Sequence, residues 1–277
     1  MIPPPTSPGR CSQAHRGRLA FSTTPLSDVS RLLSIILAAF FVSFGLVARP
    51  AHAASLTIAA AADISAAERD LSDSFHKIYP EDSARFSFGA SGALAQQIAN
   101  GAPYDLFLSA NEAFVDQLAA AQKILPDSVR VYAYGQEGIL WRDGKPHAIG
   151  DLKEQWVRFV ALANPKLAPY GLAAQQALEH ENLWDVLRSK IVYGENVRQA
   201  LQLFDSGNAD VVLTSYSLLV GRPGAAIIPP DWHRPIRQKA GIVAASQNVE
   251  VARRFMAFLA SPTGAHVLLA HGLKPVE

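Results

Sequence analysis

The chain has 277 residues, with 25 basic and 24 acidic side chains and a formal net charge of +1 at pH 7. Five of the basic residues and one of the acidic residues precede residue 54, so the remaining 224 residues carry 20 basic and 23 acidic side chains, a formal net charge of −3. This balance argues against nucleic acid or an anionic membrane as the partner, since either would favour a generally basic surface. The only cysteine, Cys11, also precedes residue 54, so the rest of the chain has no thiol, disulfide or cysteine metal site.

The first 53 residues have the pattern of a secretory signal peptide. Four arginines between residues 10 and 31 precede the apolar run 32–47, and the small-x-small sequence Ala51-His52-Ala53 follows it. The apolar run is shorter than the ~20 residues that a helix needs to cross a bilayer. The sequence therefore predicts a signal peptide over residues 1–53, cleaved after Ala53, and a protein that is not an integral membrane protein after cleavage.

After residue 53, short apolar runs typical of strands alternate with amphipathic stretches typical of helices. The predicted strands are Leu56–Ala61, Ala84–Phe88, Asp105–Ser109, Val129–Ile139, Phe159–Ala163, Lys190–Tyr193, Asp210–Thr214, Ala225–Ile228 and Ala240–Ala244. Between them, residues 64–78 place Ile64, Ala67, Leu71 and Phe75 on one face of a helix, and residues 247–270 predict two helices separated at Ser261-Pro262. The alternation predicts an α/β fold with doubly wound, mainly parallel sheets.

Two connections are the best candidates for boundaries between lobes. One is the extended segment around residues 132–136, and the other is the proline-rich segment 231–237, in which prolines exclude helix and central strand. The sequence predicts one lobe from residues 54–131 plus 238–277 and a second from residues 137–230, joined by hinge crossovers at 132–136 and 231–237. A hinge of this kind leaves a ligand cleft between the lobes.

Four junctions between a strand and the following helix have chemistry suited to an anion. They lie at residues 59–63, 88–94, 164–171 and 193–198. At such junctions in an α/β sheet, helix N-termini present unpaired N–H groups and the positive end of the helix dipole. Small side chains and glycines at these positions let a ligand approach the backbone.

Each junction also has a plainer interpretation. Asp63 is either a residue of the cleft or an N-cap that bonds the amides of Ser65 or Ala66. Ser91 can cap its helix and also turn its hydroxyl, with the amides of Gly92 and Ala93, toward an anion. The amide of Tyr170 or Gly171 could point into the cleft, and a cap at Asn196 would leave the amide of Val197 near a helix start.

Several segments resemble the periplasmic molybdate-binding proteins of ABC transporters. The most specific is Phe88–Asn111, FGASGALAQQIANGAPYDLFLSAN, and Thr57–Asp63, Asn164–Leu178, Glu195–Gly207 and the closing helices add to the match. The resemblance implies a type II periplasmic-binding-protein fold, with two lobes and a ligand cleft between them. It also implies a periplasmic protein that captures molybdate or tungstate and delivers it to the permease of an ABC importer, acts as a monomer and needs no cofactor.

Carried over position by position, the resemblance implies Ser91 as a hydroxyl and amide donor, and Tyr170 and Val197 as amide donors. These residues would contact metal only through the oxygens of the molybdate ion. A further donor is implied around Ser215 or Tyr216. The chain departs from the family at the end of the first strand, where Ala62-Asp63 replaces the usual hydroxyl. If Asp63 points inward, an ionised carboxylate repels a dianion and favours a protonated oxyanion such as hydrogen phosphate.

Two other functions compete with this hypothesis. The same scaffold could bind phosphate, sulfate or a small organic anion, and Arg85, Arg198 or Lys239 inside the cleft would favour a carboxylate ligand. An enzyme would need a nucleophile or an acid–base pair in the cleft. After residue 53 the sequence has no cysteine, no Gly-x-Ser-x-Gly and no His-x-x-x-His, and its Asp63 and Asp105 are the one candidate carboxylate pair. We therefore expect a binding protein and no catalysis.

Overall fold

The computed structural model describes residues 54–276, and the predicted signal peptide lies outside them. The strands are β1 (Ala54–Ala61), β2 (Asp82–Gly89), β3 (Leu106–Ser109), β4 (Arg130–Gly135), β5 (Glu137–Trp141), β6 (Val160–Ala163), β7 (Ile191–Gly194), β8 (Val211–Ser215), β9 (Ala226–Ile227), β10 (Ile236–Ile242) and β11 (Lys274–Pro275). The α-helices are α1 (Glu68–Ile78), α2 (Ser91–Ala99), α3 (Glu112–Ala120), α4 (Pro169–His180), α5 (Trp184–Leu187), α6 (Val197–Asp205), α7 (Val249–Leu259) and α8 (Pro262–Ala270). Within residues 54–276, none of these helices combines the length and the apolar character that crossing a membrane requires.

The strands form two sheets. The first has the order β11-β4-β10-β3-β1-β2, and the second has the order β7-β6-β8-β5-β9. Strands β2, β1 and β3 are parallel, as are β7, β6 and β8, whereas β4, β5, β9, β10 and β11 pair antiparallel. The α/β class is confirmed, but the pairing is mixed instead of mainly parallel. The antiparallel strands lie next to the crossovers or the C-terminus, where no strand–helix–strand unit imposes a parallel direction.

The chain crosses between the sheets at the two connections that the sequence indicates. The segment predicted as one strand, Val129–Ile139, is two strands that belong to different sheets, β4 and β5, with only Gln136 between them. The return runs from β9 to β10 through Pro229–Pro235. Strand β10 begins at Ile236, four residues before the predicted start, because the backbone can pair as soon as the prolines end.

The first sheet is covered by helices whose apolar faces follow the predicted spacing. Residues 62–67 form a 3-10 turn that leads into α1, and Ile64, Ala67, Leu71 and Phe75 are all buried in the core against that sheet. The Phe75 ring packs edge-on against Phe255 of α7, with the ring centroids 5.0 Å apart. The 3.6-residue period therefore identified the buried face correctly.

The C-terminal helices separate where the sequence predicts. Helix α7 ends at Leu259, and α8 begins at Pro262. The Ser261 hydroxyl is the N-cap and accepts a hydrogen bond from the Gly264 amide at 3.2 Å. Proline fits the first position of a helix because its missing N–H would have no partner there.

Helix α4 begins in direct contact with the end of β6, and Gly171 makes that contact possible. A Cβ atom on Gly171 would lie 2.1 Å from the carbonyl oxygen of Ala163 and 2.7 Å from its carbonyl carbon. Both atoms are backbone, so no side-chain rotation relieves the overlap. The glycine therefore fixes how closely α4 approaches the second sheet.

We expect Gly171→Ala to lower the free energy of unfolding by at least ~2 kcal/mol, because the methyl group must push the helix from the strand. Gly150→Ala is the matched control, since a Cβ there meets no atom within 4 Å, and it should change stability by less than ~0.5 kcal/mol. Urea unfolding followed by far-UV circular dichroism measures both values. Equal effects from the two substitutions would contradict the close approach of α4 to β6.

Candidate functional site

A small cavity lies where β1 and three helix starts converge. It is narrow, with a cavity volume of about 10 Å³. Helix α2 follows a strand of the first sheet, whereas α4 and α6 each follow a strand of the second. Five of the six residues predicted for the site line it: Ala62, Asp63, Ser91, Tyr170 and Val197.

The walls of the cavity are built mainly from small residues. Ala61, Ala90, Ala110 and Ala168 line it and are nearly inaccessible to solvent. Their methyl groups belong to one apolar cluster that draws on elements of both sheets. Because these side chains are short, the backbone N–H groups behind them are within reach of a ligand.

Ser91 is the only residue of the cavity wall with a hydroxyl whose proton is left to a ligand. It is fully buried, and its Oγ accepts a hydrogen bond from the Ala110 amide at 3.0 Å. The prediction that Ser91 caps α2 is wrong, because Ala90 is the N-cap and Ser91 is the first helical residue. The Gly92 amide is also engaged, since it donates to the carbonyl of Leu167 at 3.0 Å. Of the donors expected at this junction, the Gly92 amide is therefore not free, whereas the hydroxyl and amide of Ser91 and the amide of Ala93 remain.

Tyr170 and Val197 stand at the starts of helices that come from the second sheet. Tyr170 follows Pro169 in the first turn of α4, and Val197 is the first residue of α6. The amides of a first turn have no acceptor within their own helix. The Asn196 side chain caps α6 through the amides of Arg198 and Gln199, at 3.0 and 3.2 Å. That cap does not engage the Val197 amide, and Val197 itself lines the cavity.

Ser215 lies apart from the cavity wall. Its hydroxyl is buried and lies 2.7 Å from the hydroxyl of Ser217. The Ser217 hydroxyl in turn donates to the backbone carbonyl of Asp63 at 2.6 Å. The structure therefore places Ser215 in a hydrogen-bonded contact with Ser217 and not among the residues that line the cavity.

Asp63 is a buried carboxylate and not a helix cap. The 3-10 turn begins after Ala61, without any side-chain cap. The Oδ2 atom of Asp63 accepts hydrogen bonds from the Tyr170 hydroxyl at 2.9 Å and from the Gln238 side-chain amide. Its Oδ1 atom is buried without a hydrogen-bond partner. Burial raises the pKa of Asp63 to about 6, although the hydrogen bonds from Gln238 and Tyr170 lower it in part.

The polar residues around Asp63 were not identified from the sequence. Gln238 is fully buried, and its carbonyl oxygen accepts from the Tyr132 hydroxyl at 2.6 Å. Glu137 is fully buried too, with no hydrogen-bond partner for either carboxyl oxygen, and burial raises its pKa well above the usual range. An available signal was that Glu137 and Gln238 are polar residues in or beside the two predicted crossovers, where chain segments from both sheets cover them.

No basic side chain in the described part of the chain lines this cavity. Lys239 pairs with Asp116 at 2.7 Å, and the Arg198 guanidinium lies on the exposed side of α6, 5.6 Å from the Phe88 ring centroid. Arg85 is exposed on β2. None of the three cations that would favour a carboxylate ligand therefore lines this cavity.

Asp105 and the histidines have structural or surface positions. The Asp105 carboxylate accepts from the Thr57 amide at 2.8 Å and from the Ser246 hydroxyl at 2.7 Å, so it joins segments of the first sheet and does not pair with Asp63. His180 contacts Glu181, and His271 contacts Asp70 on the surface. From residue 54 to residue 276, no cluster of histidine, cysteine, aspartate or glutamate side chains has the arrangement of a metal site.

Comparison with known proteins agrees with this architecture. The family described as bacterial extracellular solute-binding protein matches residues 56–274. The molybdate-binding protein ModA of Azotobacter vinelandii is 33% identical over 243 residues, which cover 82% of this chain and 93% of that protein. ModA of Rhodobacter capsulatus is 31% identical, over 68% of this chain and 75% of that protein.

A solved structure extends the agreement to three dimensions. The periplasmic molybdate-binding protein of A. vinelandii superposes with a TM-score of 0.75 at 30% identity, covering 80% of this chain and all of that one. This match confirms the type II, two-lobed fold class and the resemblance that the sequence indicated. The chain belongs to the family of bacterial extracellular solute-binding proteins.

Proposed function

We propose that this protein captures molybdate or tungstate outside the cytoplasm and delivers it to an ABC importer. The observation that carries the proposal is the cavity itself, where helix starts from both sheets meet around one hydroxyl and no basic side chain. The names of the relatives, molybdate-binding proteins from two organisms, supply the identity of the ion. Tetrahedral oxyanions of other elements share the same general shape.

The amides at helix starts suit a small anion for two physical reasons. They lack intrahelical acceptors, and they stand at the positive end of the helix dipole. About five hydrogen bonds to a charged ligand, each worth roughly 1.5–3 kcal/mol net, supply on the order of 8–15 kcal/mol before the costs of association. Micromolar affinity requires about 8 kcal/mol. The upper part of this range leaves about 8 kcal/mol after several kcal/mol of association cost, so neutral donors can hold the anion when the site is pre-organised. Neutral donors also allow release when the cleft opens.

The proposed donors are the hydroxyl and amide of Ser91, the amides of Tyr170 and Val197, and the amides of Ala62 and Asp63. Both Ala62 and Asp63 lie at the start of the 3-10 turn after β1, so their amides take the place of the hydroxyl that the family usually has there. Ser215 is not in this set, because it does not line the cavity. The proposed donors would contact molybdenum or tungsten only through the oxygens of the oxyanion.

We also propose that residues 54–131 with 238–277 and residues 137–230 form two lobes that open and close around this cavity. The crossovers between the sheets, at Gln136 and at Pro229–Pro235, support hinges at 132–136 and 231–237. The protein would act as a monomer in the periplasm after loss of its signal peptide and would dock on the permease of the importer. The names of its family and of a periplasmic relative support that location.

A second ligand class is favoured by one specific observation. The unpartnered Oδ1 of Asp63 is buried beside the site. If it is ionised, it repels a dianion and can accept a hydrogen bond from a protonated oxyanion such as hydrogen phosphate. Phosphate is therefore the competing ligand, and sulfate, which carries no proton at neutral pH, is disfavoured by the same argument.

Isothermal titration of residues 54–277 with molybdate, tungstate, sulfate and phosphate in separate runs at neutral pH tests the proposal. We expect one-to-one binding of molybdate and tungstate with submicromolar dissociation constants and no heat from sulfate. Binding of phosphate alone would show that the protein binds the competing ligand in place of molybdate. Binding of none of the four would overturn the oxyanion hypothesis.

We expect Ser91→Ala to weaken molybdate binding by at least ~10-fold, because it removes a hydrogen bond to a charged ligand. Ser87→Ala is the matched control, since the Ser87 hydroxyl contacts Tyr104 at 3.2 Å and lies outside the cavity. Titration calorimetry gives both affinities, and thermal unfolding checks that each variant is folded. Unchanged affinity in Ser91→Ala would remove this hydroxyl from the site.

Asp63 should make stability depend on pH. Its pKa is raised to about 6 in the folded protein from 3.8, so the favourable state is the protonated one. The contribution of Asp63 to the free energy of unfolding is therefore fully present below pH ~4 and is lost as the pH rises through ~6. The total loss is about 3 kcal/mol. We expect Asp63→Asn, which keeps an acceptor for Tyr170 and Gln238, to be more stable than wild type at pH 8, with the difference shrinking toward pH 4.

Urea unfolding of the ligand-free protein at pH 4, 6 and 8 measures this difference. Molybdate affinity, measured at pH 6.5 and 8, should be less pH-dependent in the variant than in wild type because the repelling charge is gone. A stability difference that does not change with pH would show that Asp63 titrates in its ordinary range.

A further inference from the structure

Asp63 accepts hydrogen bonds from two side chains in the part of the chain that contains the second sheet. The Tyr170 hydroxyl, from α4, donates to its carboxylate at 2.9 Å, and the Ser217 hydroxyl, which follows β8, donates to its backbone carbonyl at 2.6 Å. Asp63 itself follows β1 of the first sheet. These bonds therefore join the parts of the chain that belong to different sheets.

Gln238, which lies in β10 just after the second crossover, also takes part in this contact. Its side-chain amide donates to the Asp63 carboxylate and lies 3.0 Å from the Tyr170 hydroxyl oxygen. Asp63, Tyr170 and Gln238 are each at most 2% exposed. We call these three residues the junction. Within the junction, only the two bonds of the Tyr170 hydroxyl, to Asp63 and to Gln238, join the two halves, and separating the halves requires both of them to break.

Gly135 leaves the space that the junction needs. A Cβ atom on Gly135 would lie 2.1 Å from the Tyr170 hydroxyl oxygen. Gly135 is the last residue of β4, next to the point where the chain crosses between the sheets. The Tyr170 hydroxyl therefore lies directly against one crossover while it is bonded to Gln238 of the strand that begins after the other.

The two residues that meet across the junction also line the candidate site. Asp63 and Tyr170 are both part of the cavity wall, and each lies at the start of a helix or turn. The bond between their side chains thus fixes the separation of two backbone segments on opposite sides of the cavity. A ligand held by amides from both segments stays bound only while that separation is maintained.

We propose that Asp63, Tyr170 and Gln238 are positioning residues that latch the two halves together and so slow the release of the bound oxyanion. The latch touches the anion only through backbone amides, and its side chains act on closure. The proposal rests on the proposed function for its ligand, but the contact between the halves can be measured without any ligand. The alternative is that these three residues only pack tightly and have no role in closure. The test must distinguish this alternative from the latch.

The test compares Tyr170→Phe with Tyr132→Phe. Each variant removes one buried hydroxyl that is hydrogen-bonded at this place, but the Tyr132 hydroxyl bonds Gln238 within the first sheet and does not join the two halves. Phenylalanine keeps the backbone amide at position 170. Stopped-flow fluorescence measures molybdate association and dissociation, and small-angle X-ray scattering measures the radius of gyration without ligand.

For Tyr170→Phe we expect dissociation to become at least ~10-fold faster and association to change by less than ~3-fold, because the lost bond is made to a buried carboxylate. The radius of gyration should increase. Tyr132→Phe should leave both rates and the radius near the wild-type values. Gly135→Ala, which displaces the hydroxyl, should behave like Tyr170→Phe and serves if that variant does not fold.

Equal dissociation rates in Tyr170→Phe and Tyr132→Phe would overturn the latch, as would a loss of affinity that lies only in association. If wild type binds no molybdate, the proposed function fails while the scattering still decides: a larger radius in Tyr170→Phe alone supports the latch, and equal radii overturn it.

Discussion

The buried carboxylate of Asp63 is the interaction on which the rest of the site depends. It lies where β1 ends, and it accepts hydrogen bonds from side chains of α4 and β10. A hydroxyl from the turn after β8 donates to the backbone carbonyl of the same residue. A carboxylate removed from water is costly unless several donors compensate it. Tyr170 and Gln238 supply that compensation for one oxygen only, and the raised pKa reflects the part that remains. The contact can form only when both halves of the fold are together, which ties the local chemistry to the arrangement of the two sheets.

Around this centre the protein presents backbone in place of charge. Alanines keep the cavity narrow, and residues at the starts of α2, α4 and α6 line it. Because no lysine or arginine among residues 54–276 lines the cavity, selectivity must come from its size and from the direction of the donors. Asp63 adds a constraint that the usual hydroxyl of the family would not, since its charge depends on pH. In the proposed function and the proposed latch, the same residue links ligand choice, stability and closure.

Much of this could be predicted from the sequence because local patterns determine it. Short apolar runs identified the strands other than β11, 3.6-residue spacing identified the buried face of α1, and Ser261-Pro262 located a helix boundary. Helix starts have local signals, and with the family resemblance they predicted Ala62, Asp63, Ser91, Tyr170 and Val197, which the structure brings together at one cavity. What the sequence did not show depends on contacts between distant segments: Ser215 bonds Ser217 and does not line the cavity, and the partners of Asp63 lie more than one hundred residues from it. No local pattern shows which side of a wall a hydroxyl takes when both sides are buried.

The most direct test of the account is a crystal structure of the protein grown with molybdate, with the anomalous signal of molybdenum used to locate the ion. The account predicts one peak in the cavity, with oxygens within hydrogen-bond distance of the Ser91 hydroxyl and of the amides of Tyr170 and Val197, and without a lysine or arginine contact. A peak at another place, or an ion held by a basic side chain, would contradict it.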